Sequence, residues 1–182
     1  LASETYGRSS RPNETNVRDE QNYSRALFKR MDAEVLMDAA SQATGAPEKF
    51  TGASLGTRAI QLWDNRVDHY FLKLFGRPAR ESACECERNS EASIAQVLHL
   101  LNSPGVQRKL SHEGGRVAQL VRETSDDKLV EELYLTFYSR FPSDKEKSVA
   151  LAHLKSDPAG RRRAAEDLAW SLLNSLEFIF NH

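Results

Sequence analysis

From Ser103 to Phe180 apolar residues return every three or four positions, and each run is cut by a helix-starting or helix-ending signal. This pattern restricts the fold more than any other feature. A 3.6-residue period puts the apolar stripe on one side of a helix, and that stripe has to be covered. Ser103-Pro104 starts a short helix with Val106 and Leu110 inward, because proline at the first helical position loses no intrahelical bond. Gly114-Gly115 separates it from a second, carrying Val117, Leu120 and Val121. Ser125 opens a longer helix through Arg140, with Leu129, Val130, Leu133, Tyr134 and Phe137 apolar, and Phe141-Pro142 stops it. Ser143 and Glu146 form a capping box whose helix runs to about Leu154. Asp157-Pro158 opens the last, with Ala164, Ala165, Leu168, Ala169, Leu172 and Leu173 as its core face, followed by Phe178, Ile179 and Phe180.

The first half is less regular. Residues 1–30 are polar and poorly periodic and read as an extended arm, with Tyr6, Tyr23, Leu27 and Phe28 placed to pin it to a body. Met31 to Ala43 is a helix with Val35, Leu36, Ala39, Ala40 and Ala43 on one face, stopped by Gly45. Thr44 to Asn65 is a Gly-rich connection, in which Thr57 to Trp63 is an extended loop docked on helices rather than a lone strand. Arg66 to Phe75 is a second helix ended by Gly76. Asn89 or Ser90 caps a third, whose expected core face is Ile94, Val97, Leu98 and Leu101. HLLNS (99–103) and SLLNS (171–175) both end helices, as if Asn takes a left-handed exit and Ser restarts the chain. The predicted fold is mainly α: an irregular multi-helix bundle of about seven to nine helices with an N-terminal arm. It comprises the arm 1–30 and a helical domain 31–182, with possible lobes 31–103 and 104–182.

A chain of 182 residues buries roughly 70% of its unfolded surface, so no metal or disulfide staple is required. A formal charge of −1 argues against a general electrostatic grip on nucleic acid. No apolar run approaches the ~20 residues of a membrane span. The chain begins at Leu1 without a visible signal peptide, which reads as a fragment or a processed product.

Reactive side chains crowd most closely in LFGRPARESACECERNS (74–90). Cys84 and Cys86 lie one residue apart, so on an extended segment both point the same way. They could ligate a soft metal with His99 or His112, form a redox or disulfide pair, or be structural. Neighbouring Glu85, Glu87 and Glu91 oppose thiolate formation. Arg77, Arg80 and Arg88 could clamp an anion or a sugar acid, although the glutamates between them favour internal ion pairs. Asp64 with Asp68 could be a carboxylate pair, but such pairs on a helix edge mostly face water. Arg161-Arg162-Arg163 reads as a solvated face, His99 as a satisfied structural imidazole, and Trp63 and Trp170 as core. No nucleophile elbow or phosphate loop occurs, and no cofactor is implied.

Five phrases, in this order, carry a resemblance: TYGRSSRPNETNVRDEQNYSRALFKRMDAEVLMDA, FGRPARESACECER, AQVLHLLNSPGVQRKL, ELYLTFYSRFPSDKE and EDLAWSLLNSLEFIFNH. Together they resemble the C-terminal part of the domain-of-unknown-function 1553 family, large proteins of Planctomycetes and related bacteria. Asn181-His182 looks like the natural end of such a protein. The resemblance implies an export signal, a cytochrome c-like segment and another uncharacterised domain upstream. It therefore implies an extracytoplasmic setting, periplasmic or cell-surface, near sugar-degrading systems. It carries over no catalytic residue, and the chain has no Cys-x-x-Cys-His for c-type haem. The leading expectation is a structural or interaction scaffold that contacts upstream domains of its own polypeptide or another exported protein. One alternative is an enzyme or redox component of polysaccharide degradation with its site near Arg77–Arg88. Another is a carbohydrate-binding module, which exposed Trp63 or Tyr70 beside Arg66 would favour.

Overall fold

The structure, a computed structural model, describes residues 7–19, 21–63, 67–78, 93–156 and 160–181. Among these it is a helical bundle. Its helices are α1 (Ala33–Thr44), α2 (Tyr70–Leu74), α3 (Ile94–Asn102), α4 (Pro104–Leu110), α5 (Arg116–Glu123), α6 (Asp126–Tyr138), α7 (Asp144–Ser156), α8 (Arg161–Leu173) and α9 (Leu176–Ile179). The only sheet among the described residues pairs β1 (Lys29–Arg30) antiparallel with β2 (Phe180–Asn181). Lys29 lies opposite Asn181 and Arg30 opposite Phe180. The Met31 amide extends the pairing by donating to the Ile179 carbonyl (3.0 Å), so the arm's end is stitched to the last helix.

Local chemistry sets the boundaries. Gly45 takes a left-handed φ of 66° and closes α1. Its N–H donates to Gln42 (3.2 Å) and that of Ala46 to Ser41 (3.1 Å), the paired bonds that satisfy the last carbonyls of a helix. At the start of α7 the Ser143 amide donates to the Glu146 carboxylate (2.8 Å) and the Glu146 amide donates to Ser143 Oγ (3.4 Å), the reciprocal box that the spacing predicts. Ser103 accepts from the Gly105 amide with Pro104 at the first position of α4. The cap of α3 is Ser93, not Asn89 or Ser90: Ser93 and Gln96 exchange two 3.3 Å bonds, a box that the S-x-x-Q spacing already spells. The two Leu-Leu-Asn-Ser endings share a different device from a left-handed exit. Asn174 has φ −87°, and both Asn102 and Asn174 donate back to the carbonyl four residues earlier (Leu98 and Trp170). The serines do restart the chain, capping α4 and α9.

One apolar core runs from Ala33 to Phe178. Its centre is α8, which packs on α4, α5, α6, α7 and α9. Buried Ala164, Ala165 and Ala169 have short side chains that let those neighbours approach closely. The Gly-rich connection docks on α1 through a single 3₁₀ turn, Ala59–Gln61. Its first amides are held by α1, since Asp38 accepts from Ala59 (2.6 Å) and Ile60 (3.1 Å). No helix among the described residues is long and apolar enough to cross a membrane.

Two expectations about burial are corrected. Trp63 is not core but 84% exposed: Leu62 turns inward after the 3₁₀ turn and its neighbour therefore turns out. More consequentially, the expected core face of α3 is its solvent face, with Ile94, Val97, Leu98 and Leu101 between 37% and 79% exposed. The opposite side is buried through Leu100 and Gln96. Gln96 tolerates burial because its side-chain amide donates to the Leu74 carbonyl at the end of α2 (3.0 Å).

Candidate functional site

Of the arginines and cysteines singled out by sequence, Arg77 is the described one; Arg80, Cys84, Cys86 and Arg88 lie outside the described residues. Arg77 serves the interior. Its side chain is 5% exposed, Nη2 donates to the Leu62 carbonyl (2.9 Å), and Nε lies 3.7 Å from Oε1 of Glu34, itself 3% exposed. This buried pair ties the start of α1 to the segment after α2. Asp64 also lies outside the described residues, whereas Asp68 is exposed and pairs with Lys73 at 2.9 Å. Among the described residues no group of three or more His, Cys, Asp or Glu could hold a metal ion.

The arginine triplet departs from a solvated face. Arg161 reaches from α8 to Oδ1 of Asp126 (2.8 Å), the Thr124 carbonyl (2.8 Å) and the Val121 carbonyl, covering the open end of α5. Arg162 bridges Glu166, Glu113 (3.2 Å) and the Ser111 carbonyl (2.9 Å). Arg161 therefore ties α8 to α5 and α6, Arg162 ties it to the connection between α4 and α5, and Arg163 is the exposed member.

The concavity that the fold builds lies elsewhere. A cavity of about 360 Å³ opens where α1, α2, α3, α4, α8 and α9 meet. Its floor is aliphatic and aromatic, with Leu36, Met37, Leu100, Leu173 and Phe178. On one wall Tyr70 and His99 lie with ring centroids 5.2 Å apart, and His99 also meets Phe71 and Phe75 edge-on. Burial and the nearby His69 both push the His99 imidazole toward its neutral form.

Charge is gathered at the rim. Lys109 Nζ contacts Glu48 Oε2 (2.9 Å), Ser41 Oγ (3.1 Å) and the Ala46 carbonyl (2.8 Å), which uses all three of its N–H donors. His69 Nε2 sits 3.7 Å from the other Glu48 oxygen, an ion-pair approach rather than a hydrogen bond. These two neighbours, His69 first, hold the Glu48 carboxyl down at about 2. Sequence reasoning passed over Glu48, His69 and Lys109. They come from a loop, a helix N-cap and α4, and no local spacing joins them. The arrangement can hold an apolar body beside polar groups. Ser103, which also lines it, serves as the α4 cap, its Oγ accepting from the Gly105 amide (3.2 Å).

Comparison with known families separates lineage from chemistry. A family model described as PSD1, a protein of unknown function (DUF1553), matches residues 1–154. This chain belongs to the DUF1553 family. The match covers the arm and the helices through most of α7, and so the part of the pocket built by α1 to α4; Leu173 and Phe178 of the pocket floor, and the closing phrase EDLAWSLLNSLEFIFNH, lie beyond it. No curated protein and no solved structure matches the chain.

Proposed function

We propose that this DUF1553 chain is a non-catalytic docking module, the helical C-terminal part of a larger exported protein. In this reading α3 lies against another part of the same polypeptide. The observation that carries it is the α3 solvent face. Ile94, Val97, Leu98 and Leu101 are exposed at helical spacing on a segment, IAQVLHLLN, without one Asp, Glu, Lys or Arg. A contiguous apolar stripe held in water marks a contact surface.

Magnitude selects the kind of partner. The exposed area amounts to roughly two whole aliphatic side chains, worth about 3–6 kcal/mol on burial. Bringing two free proteins together costs about 4–15 kcal/mol in lost motion, which consumes most or all of this gain, so this face alone holds a separate protein weakly at best. A covalently linked partner meets it at high effective concentration and escapes most of that cost. Photo-crosslinking from benzoylphenylalanine at position 97 in the full-length protein tests the reading. It expects an intrachain crosslink to a segment upstream of residue 1; crosslinks only to other proteins, or none, contradict it.

A second reading, carbohydrate binding, is supported by exposed Trp63. Its indole stands at an open depression of about 600 Å³ bordered by Thr51, Ser54, Thr57, Gln61 and Asp68. An aromatic face beside hydroxyl and amide groups suits the apolar face and the hydroxyls of a sugar ring. Tyr70 is exposed as well, and Arg66 lies outside the described residues. Titration with soluble oligosaccharides should alter tryptophan emission in the native chain and not in Trp63→Phe. Emission that never changes counts against it.

A further inference from the structure

We propose that the cavity between α1, α3, α4 and α8 binds a small monocarboxylate with an apolar tail, its tail on the Leu36–Phe178 floor and its carboxylate on Arg108. The inference is independent of the docking reading, because the α3 face points away from the buried side through which α3 borders the cavity.

Three observations converge. At about 360 Å³ the cavity falls near the lower end of small-molecule pockets, which run roughly 300–1,000 Å³, so the ligand is small. Its floor is apolar, so the ligand body is too. The charge at the rim then sets the head group. Lys109 is neutralised by Glu48 and has no donor to spare. Arg108, one residue earlier on α4 and also lining the cavity, is exposed and makes no hydrogen bond or ion pair among the described residues. Among the described residues it is therefore the cation at this rim with its donors available. A guanidinium fork matches the two oxygens of a carboxylate. Among the described residues a doubly charged head would leave one charge without a cation, so a single negative charge fits best.

Octanoate is a suitable probe and octan-1-ol its neutral counterpart. In low-salt buffer, calorimetry and amide NMR on the whole chain should show saturable one-to-one octanoate binding. The shifted resonances should be those of the cavity, Tyr70 and His99 among them. Octanol should bind about tenfold more weakly, and Arg108→Gln should weaken octanoate about tenfold while leaving octanol unchanged. Arg108→Gln alters an exposed side chain, so folding is preserved. Ala40→Leu, which extends a side chain into the cavity, should reduce binding of both probes, with the fold checked by circular dichroism. Equal affinity for octanol, an unchanged Arg108→Gln, or octanoate binding that survives in folded Ala40→Leu overturns the proposal. So does the absence of saturation up to about 10 mM octanoate, a concentration at which even a weak specific site fills.

Discussion

Gly114 and Gly115 are adjacent, yet alanine should cost stability at Gly115 and not at Gly114. Gly115 is the N-cap of α5, and its φ of −79° and ψ of 170° are open to any residue, so space alone decides the outcome. A Cβ there would stand 2.9 Å from the Thr44 carbonyl oxygen and 3.0 Å from that of His112. Both are backbone atoms held in place. Thr44 is the final residue of α1, and His112 O accepts the Gly115 amide at 2.9 Å. Relief requires α5 to move off α1, and overpacking of this kind costs about 1–3 kcal/mol. Alanine also stiffens the unfolded chain, which returns about 0.4–1 kcal/mol. Gly115→Ala should therefore lose about 1–2 kcal/mol net, or roughly 2–8 °C in Tm at this chain length. At Gly114 the nearest atoms to an added Cβ belong to the His112 ring, 3.3 Å away and at the end of an exposed, rotatable side chain. Gly114→Ala keeps the unfolded-state gain and should be neutral or slightly stabilising. Urea unfolding followed at 222 nm reads both variants. A Gly115→Ala as stable as the parent, or a Gly114→Ala that loses more, refutes this packing of α1 on α5.

Further expectations concern charge. Arg77→Met removes the cation beside the buried Glu34 carboxylate and should cost about 3 kcal/mol in urea unfolding; adding Glu34→Gln should recover part of it. Arg161→Ala uncovers the Val121 and Thr124 carbonyls and Asp126, and should cost about 2 kcal/mol, with hydrogen exchange rising first at the end of α5. Stability should fall in two stages as pH drops. The unfolded His99 takes up a proton near pH 6.5 while the folded one resists, so the first loss begins below that value. Glu48 is lowered from 4.5 to about 2, so its contribution is whole above pH 4.5 and is lost between 4.5 and 2. Discounted for partial exposure, that contribution is about 1–2 kcal/mol, and Glu48→Gln should flatten this lower stage.

What could be read from the sequence was local. The capping box at Ser143, the Ser103-Pro104 start, the Gly45 stop and the periodic faces of α6 and α8 depend on neighbours three or four residues apart, and the structure keeps them all. The orientation of α3 was not local. Leu100 and Gln96 define one side, and Ile94, Val97, Leu98 and Leu101 the other; periodicity favours the greasier one. The choice was made by the Leu74 carbonyl, 22 residues back, which gives Gln96 a buried partner. The candidate cavity was illegible for the same reason, since Glu48, His69 and Lys109 meet only after the chain has folded. Arg161 likewise looked solvated because the carbonyls it covers lie 37 and 40 positions earlier.

The docking account is tested most directly by amide hydrogen exchange along α3, in this chain alone and within the longer polypeptide, with α6 and α8 as internal references. A face covered by its own upstream domains should slow the exchange of residues 94–102 about tenfold or more in the longer form, while the references stay unchanged. Equal rates in the two forms would mean that nothing upstream lies on Ile94, Val97, Leu98 and Leu101, and would contradict the account.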